Sequence, residues 1–311
     1  LKYLFSITNI YGNADSFFSD LTGFKNLSGL KKKNITMKIK NLESVQLSEI
    51  VDCMLIAFEG YFVQMPSDLE YWANRYRGAR VDFSLSYGMF DEGKLVGFII
   101  NGVDWQDGHL TAFNTGTGVI PSHRGLKVVD QLYEFAFPEM KEKSVTKCAL
   151  EVIQDNSRAI RVYERIGFSI EKDLRCFRGN WNVSGGNTII ESVNFDEVTA
   201  KNSDFQRFYS WDNINQAIAI NPSIFEHFFI KNNQNELLGY CSLQPKTNSI
   251  AQIEIFENEP KNWQKLFETI QKILPSARVI NVNGERKTFI SEILKAGLEN
   301  HIDQFEMVKW I

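Results

Sequence analysis

Cysteine is scarce in this chain and metal-binding patterns are missing. Its 311 residues hold four cysteines, Cys53, Cys148, Cys176 and Cys241. They form no CxxC pair and no Cys/His cluster, which excludes a zinc ribbon or a disulfide framework. The thiols read as small hydrophobes of a reduced, cytoplasmic protein. The four histidines, His109, His123, His227 and His301, have no ligand spacing either, so no metal is expected. No apolar run approaches the roughly 18 residues of a membrane-spanning helix. The apolar opening Leu1-Lys2-Tyr3-Leu4-Phe5 is broken by Asn9, Gly12 and Asn13 and does not read as a signal peptide. A basic excess is also lacking. Lys and Arg number 34 against 38 Asp and Glu, the net charge is −4 and the pI is near 5.7. That balance argues against nucleic acid as a partner, and more weakly against a polybasic membrane contact.

What is present fits an ordinary globular chain, with 43% hydrophobic and 23% charged residues. Its length suggests two domains. The 24 phenylalanines are expected mainly in the core, a minority lining a cleft. Residues 1–36 lack a steady period and end in Lys31-Lys32-Lys33, so they read as an extension outside the packed core. A first domain is expected from Met37. Its opening strand, Met37-Lys38-Ile39-Lys40, is followed by a helix capped by Ser44 or Ser48. That helix carries Ile50, Val51, Met54, Leu55 and Phe58 on one stripe and stops at Gly60. A second helical run from Ser67 bears Leu69, Tyr71, Trp72 and Tyr76. Asp91-Glu92-Gly93 turns a hairpin between 85–90 and 94–101, and a strand from Leu110 to Ile120 follows the turn at Asp104–Gly108.

The stretch 117–168 organises the rest. A strand ends in Gly118-Val119-Ile120 and leads to Pro121-Ser122-His123-Arg124-Gly125-Leu126-Lys127-Val128-Val129. A helix follows, with Val128, Val129, Leu132, Phe135 and Ala136 inward and Pro138 at its end. A buried-type strand, Cys148-Ala149-Leu150-Glu151-Val152, comes next. The last helix reads Asn156-x-x-Ala159-Ile160-x-x-Tyr163-Glu164-x-x-Gly167-Phe168, which puts Asn156, Ala159 and Tyr163 on one side and Gly167 at the C-terminal cap.

These residues resemble the acetyl-CoA site of the GNAT superfamily of N-acetyltransferases. Arg124 and Gly125 fit the family's phosphate loop, whereas Lys127 replaces its central glycine and Val129 its final small residue. The Asn156–Phe168 half matches at each quoted position. The resemblance implies a mixed α/β (α+β) chain with the acyl-CoA N-acyltransferase fold, a central mixed, mostly antiparallel sheet flanked by helices. It implies acetyl-CoA as cosubstrate. Main-chain groups of Gly118, Val119 and Ile120 would take the pantetheine as an added strand. The turn Arg124, Gly125, Leu126, Lys127, Val128 and Val129 would hold the pyrophosphate at a helix N-terminus. Asn156, beside Ala159, would touch the pantetheine. Tyr163 would protonate the departing thiolate, being protonated at neutral pH. The expected acceptor is a primary amine on a small molecule or peptide, attacking directly; an oligomer is compatible with this reading. The general base is open among Glu151, Asp155 and water, with Glu151 the leading side chain. His123 is expected to face solvent.

Beyond a linker at Ser184-Gly185-Gly186-Asn187, residues 183–311 echo 37–182. Asn235–Tyr240 parallels Gly93–Phe98, and Leu294–Leu298 parallels Glu164–Phe168. Alignment on the second pair sets Arg286 against Asn156 and Ile293 against Tyr163. The turn at 257–261 offers Glu257 and Glu259 where a phosphate would need amides. A tandem arrangement is therefore expected, with a degenerate second copy that has lost CoA binding and ends in a closing strand at Asp303–Lys309. The competing reading is a non-catalytic acyl-CoA-binding or interaction module. An open turn at 124–129 and a solvent-reachable Tyr163 would favour the enzyme.

Overall fold

The computed structural model describes residues 37–59, 65–184 and 188–311. The extension 1–36, the segment Tyr61-Phe62-Val63 and most of the linker lie outside the described residues. The first half contributes β1 (Lys38–Asn41), α1 (Leu47–Ala57), α2 (Leu69–Gly78), β2 (Tyr87–Asp91), β3 (Lys94–Gln106), β4 (His109–Val119), α3 (Val128–Glu142), β5 (Lys147–Ile153), α4 (Ser157–Ile166) and β6 (Ser169–Asn180). The second contributes β7 (Ile189–Ser192), α5 (Phe195–Thr199), α6 (Asn215–Ile220), β8 (Glu226–Lys231), β9 (Leu237–Gln244), β10 (Ser249–Ile255), α7 (Pro260–Ile273), β11 (Ser276–Asn283), α8 (Lys287–Lys295) and β12 (Glu299–Trp310).

The twelve strands of the described residues join one sheet in the order β1-β2-β3-β4-β5-β12-β6-β11-β10-β9-β8-β7. Only β4·β5 and β10·β11 are parallel; the other neighbours run antiparallel. Replacing β1–β6 by β7–β12 turns the order into its own reverse. The halves are thus related by a pseudo-twofold axis near the sheet centre, where Gln304 faces Leu174. The last strand does not close its own half alone. β12 enters between β5 and β6, pairing Gln304–Trp310 with Lys147–Ile153, while β6 pairs with β11. A division at 182/183 therefore cuts the sequence between two strands that serve both halves.

Two large apolar clusters lie under equivalent helices. One packs Leu132, Ala136, Leu150, Val152 and Tyr163 beneath α3 and α4, and it includes Met307 of β12. The other packs Trp263, Phe267, Val279, Val282 and Ile293 beneath α7 and α8. The opposite face of the first half carries α1 and α2 over Phe98 and Ile100. There the second half reaches across. Trp211 stacks on Phe113 at 5.0 Å and 6°, and its Nε1–H donates to the Ala79 carbonyl at 2.9 Å. Arg80 lies over the same indole, 4.1 Å from the ring centre.

Several local expectations need correction. Neither Ser44 nor Ser48 caps α1; Gln46 is the cap residue, without a side-chain bond. Pro138 does not end α3, which runs on to Glu142. A proline removes one helical hydrogen bond, and the burial of Ala136 and Met140 on either side holds the helix together there. Phe135 points outward at 40% exposure, and Tyr133 takes the inward place assigned to it.

Candidate active site

The site begins where β4 and β5 part. Their parallel pairing runs from Thr111·Lys147 to Asn114·Leu150 and then stops. Thr115 is an extra residue in β4, a bulge between the pairs Asn101·Asn114 and Ile100·Gly116. Beyond it β4 stays bonded to β3 through Val119, and β5 stays bonded to β12 through Ile153. A slot therefore opens between Thr115–Val119 and Glu151–Ile153, with strand edges facing it. Gly116 and Gly118 keep β4 slim there: a Cβ on Gly118 would stand 2.6 Å from the Phe98 ring.

At the wide end of the slot the chain turns through Pro121–Val129 into α3. Gly125 has φ +81° and Lys127 φ +55°, both left-handed. Lys127 holds a conformation that glycine adopts freely, at a cost of about 1–2 kcal/mol. An added Cβ on Gly125 would meet nothing within 4 Å, and no side chain caps α3. First-turn amides aimed outward with the positive end of the helix dipole suit an anion. Val129 does not fill the turn with bulk; Val128 and Val129 both pack into the core. Gly97 makes that possible, since a Cβ there would lie 2.7 Å from Val128. Leu126 and Lys127 remain exposed. Arg124 turns back to donate to the carbonyls of Ala57 at 2.9 Å and Val119 at 3.3 Å, tying the turn to α1 and β4. His123 does not face solvent freely; Nε2 lies 3.2 Å from an Asp91 carboxylate oxygen.

Helix α4 borders the slot from the face that carries α3. Asn156 caps it, Oδ1 accepting from the Ala159 N–H at 3.1 Å. Gly167 ends it with φ +102°. Tyr163 is 2% exposed. Burial pushes its pKa up to about 12, against the opposing effect of the Thr117 hydroxyl beside it. The solvent-reachable phenol that would favour the enzyme is thus absent. Thr117 lies in the part of β4 that has left β5, and it donates to Asn114 Oδ1 at 2.8 Å. Tyr133 shares this corner; its buried hydroxyl makes no hydrogen bond of sound geometry among the described residues, though the Thr117 hydroxyl is near enough to act on it. A buried polar atom short of a well-formed hydrogen bond, beside strand edges open to pairing, fits a polar ligand chain inserted here.

Glu151 borders the slot from the other face. It follows Ala149, which packs with Phe113 and Trp211, so alternation sends it to that side. It is 2% exposed, and Asn281 of β11 donates to its Oε2 at 2.6 Å. Across the slot, Thr115 accepts from Arg75 at 3.2 Å, and Arg75 pairs with Asp212 through two 3.1 Å bonds. Asp155, the other candidate base, is exposed near the N-terminus of α4. Thus Tyr163 and Glu151 flank one slot from opposite faces. Thr117 and Tyr133 were not singled out from the sequence, although Thr117 directly precedes Gly118. Nothing local marks Asn281, Arg75 or Asp212, because their partners lie 130 and 137 residues away.

The second half contains the corresponding slot, filled by its own side chains. Ala251 is the bulge residue of β10, and pairing with β11 stops at Ile250·Val279. Gly97 pairs with Val119 as Gly239 pairs with Ile255, so Glu254 stands in the place of Gly118. Arg286 is the N-cap residue of α8, as Asn156 is of α4. Arg286 bonds both Glu254 oxygens, at 2.9 and 2.7 Å, and the Ile253 carbonyl at 2.9 Å. The Tyr209 hydroxyl lies 3.2 Å from the same carbonyl and 3.3 Å from the Ile253 N–H that donates to it. In the first half, no side chain among the described residues bonds the main chain of the equivalent Thr117.

Among the described residues there is no group of three or more His, Cys, Asp or Glu suited to a metal ion, and no helix long and apolar enough to cross a membrane. The sheet with its paired slots defines an acyltransferase-type fold. A GCN5-related N-acetyltransferase from Sphaerobacter thermophilus superposes with a TM-score of 0.62 at 12% identity, covering 88% of this chain and 95% of that one. A tandem GNAT protein from the clavulanic acid biosynthesis pathway gives 0.61 at 14% identity, covering 88% and 98%. A GCN5-related N-acetyltransferase from Anabaena variabilis gives 0.57 at 12% identity, covering 88% and 72%. No curated protein sequence matches. Residues 49–168 match the model of the acetyltransferase (GNAT) family.

Proposed function

We propose that this chain transfers acetyl from acetyl-CoA to a primary amine, on a small molecule or a peptide, at the slot between β4 and β5. The observation that carries the proposal is the parting of these strands after Asn114·Leu150, with an open helix-entry turn at one end and Tyr163 behind it. Main-chain groups of Gly118, Val119 and Ile120 pair with the pantetheine, and Asn156 and Ala159 border it. The turn 124–129 takes the pyrophosphate, with Lys127 adding a cation. The amine nitrogen attacks the thioester carbon, the carbon–sulfur bond breaks, and Tyr163 protonates the thiolate. Glu151 accepts the proton that the amine nitrogen gives up as its bond to the acetyl carbon forms. Burial of all four cysteines without a disulfide is consistent with a cytoplasmic enzyme.

The second half, in this reading, is a degenerate copy that keeps the fold and binds no CoA. Arg286 and Tyr209 bond the main chain of Ile253, the counterpart of Thr117 next to the pairing segment, and Glu254 sets a carboxylate in the place of Gly118. One observation favours a binding module without catalysis: the buried phenol of Tyr163. Titration with acetyl-CoA in a calorimeter, followed by thiol release across an amine panel, separates the readings. One binding site per chain with thiol release supports the enzyme, and binding with no release on any amine supports the module. No binding at millimolar ligand removes both, and two sites per chain would remove the assignment of the second half.

A further inference from the structure

The residue that touches Glu151 is its counterpart in the second half when counted back from the helix caps, and it lies in a bulge where β11 carries one extra residue between Val279 and Val282. Glu151 lies five residues before the α4 cap Asn156, and Asn281 lies five before the α8 cap Arg286. The exchange of β6 and β12 brings these equivalent positions together across the pseudo-twofold axis, 2.6 Å apart. A carboxylate only accepts hydrogen bonds, so Asn281 must present its Nδ2 to Glu151. Its other end is fixed, since Gln304 Nε2 donates to Asn281 Oδ1 at 2.6 Å and Cys176 Sγ approaches the same oxygen at 3.4 Å. The Asn281 main-chain N–H donates to Cys176 Sγ at 3.3 Å, holding a left-handed bulge of φ +56°.

We propose that Asn281 is a positioning residue through which the second half orients Glu151 and keeps it ionised as the base of the first half's slot. The inference rests on Glu151 being that base. Two identical copies would set two buried glutamates against each other at the axis. One of them would then be held protonated, as in any close carboxylate pair. The amide in the second copy replaces that repulsion with a charge-assisted hydrogen bond. Other charged or titratable groups face this place. Glu306 lies directly opposite Glu151 on β12 and is paired with Lys172 of β6 at 3.0 Å. Cys176 lies on β6, and the Arg75–Asp212 pair stands across the slot. Lys172 offsets Glu306, and Asn281 gives Glu151 a neutral donor.

The test is a pH titration of the intact chain, labelled with 13C at the glutamate side-chain carboxyls. The Glu151 signal is assigned by its loss in Glu151→Gln. Asn281→Asp keeps the shape and adds a carboxyl, so the Glu151 midpoint is expected to rise by about one pH unit or more. Asn281→Ala removes the donor without adding charge and is expected to give a smaller rise. A midpoint unchanged in both variants overturns the proposal. If Asn281→Asp does not fold, the alanine variant decides alone. Thiol release by Glu151→Gln tests the underlying reading separately. Full turnover there removes Glu151 as base, whatever the midpoints show.

Discussion

Met307 lies in the last strand of the chain, yet it is fully buried in the apolar cluster beneath α3 and α4. Replacing it by alanine tests whether the strand exchange holds the first half together. Truncating a fully buried methionine costs about 2–5 kcal/mol, depending on how far the site collapses. Large collapse is not expected, because β12 is bonded on both edges, to β5 and to β6. A value near 3 kcal/mol is therefore reasonable, a sizeable part of the roughly 5–15 kcal/mol of a typical fold. With a slope of about 3 kcal/mol per molar urea, the midpoint should fall by about 1 M. Hydrogen exchange adds the location. Protection should weaken in β5, α3 and α4, more than 140 residues before the substitution, while β8 and β9 keep theirs. A loss of protection confined to 237–298 would refute the exchange, and so would residues 37–182 folding cooperatively and binding acetyl-CoA alone.

Three further outcomes are expected. Tyr163→Phe should leave acetyl-CoA affinity nearly unchanged and lower thiol release by about 10²-fold, the usual scale of a lost proton donor; unchanged turnover removes the assigned role. Lys127→Ala keeps the left-handed backbone and deletes the exposed cation, so acetyl-CoA binding should weaken a few-fold, about 0.5–1 kcal/mol, mainly at low salt; calorimetry at two ionic strengths checks it. Burial raises the Glu254 pKa from 4.5 to about 7, overcoming the opposing pull of Arg286. The folded state therefore holds this proton where the unfolded chain releases it, and Glu254's contribution to stability falls as pH rises from about 4.5 to about 7. Urea melts of Glu254→Gln should show a flatter pH dependence over that window; an equally steep one would place the titrating group elsewhere.

Much of the site was legible because its signals are local. Asn156 and Gly167 bound a ten-residue helix by their own capping chemistry, and Tyr163 follows from helical spacing. The alignment of Arg286 with Asn156 came from sequence alone, and both proved to be N-cap residues. Side-chain direction was less legible. Val129 reads as part of the phosphate turn, yet α3 turns its side chain into the core, and Phe135 and Tyr133 exchange places because a small rotation of the helix decides which of two neighbouring aromatics faces in.

The sequence by itself determined where α4 starts and stops, and which turn and helix residues of the first half resemble a CoA site. Those properties depend on contacts within a few residues. The tertiary structure decided that β12 enters the first half, that Arg286 fills the second slot, and that Glu151 meets Asn281. Any strand edge offers the same N–H and C=O groups, so a strand's own residues do not name its partner. That choice follows from the burial of Met307, Val308 and Glu306 once both halves are present. The environment of the candidate base therefore belongs to the pair of halves, and neither half contains it alone.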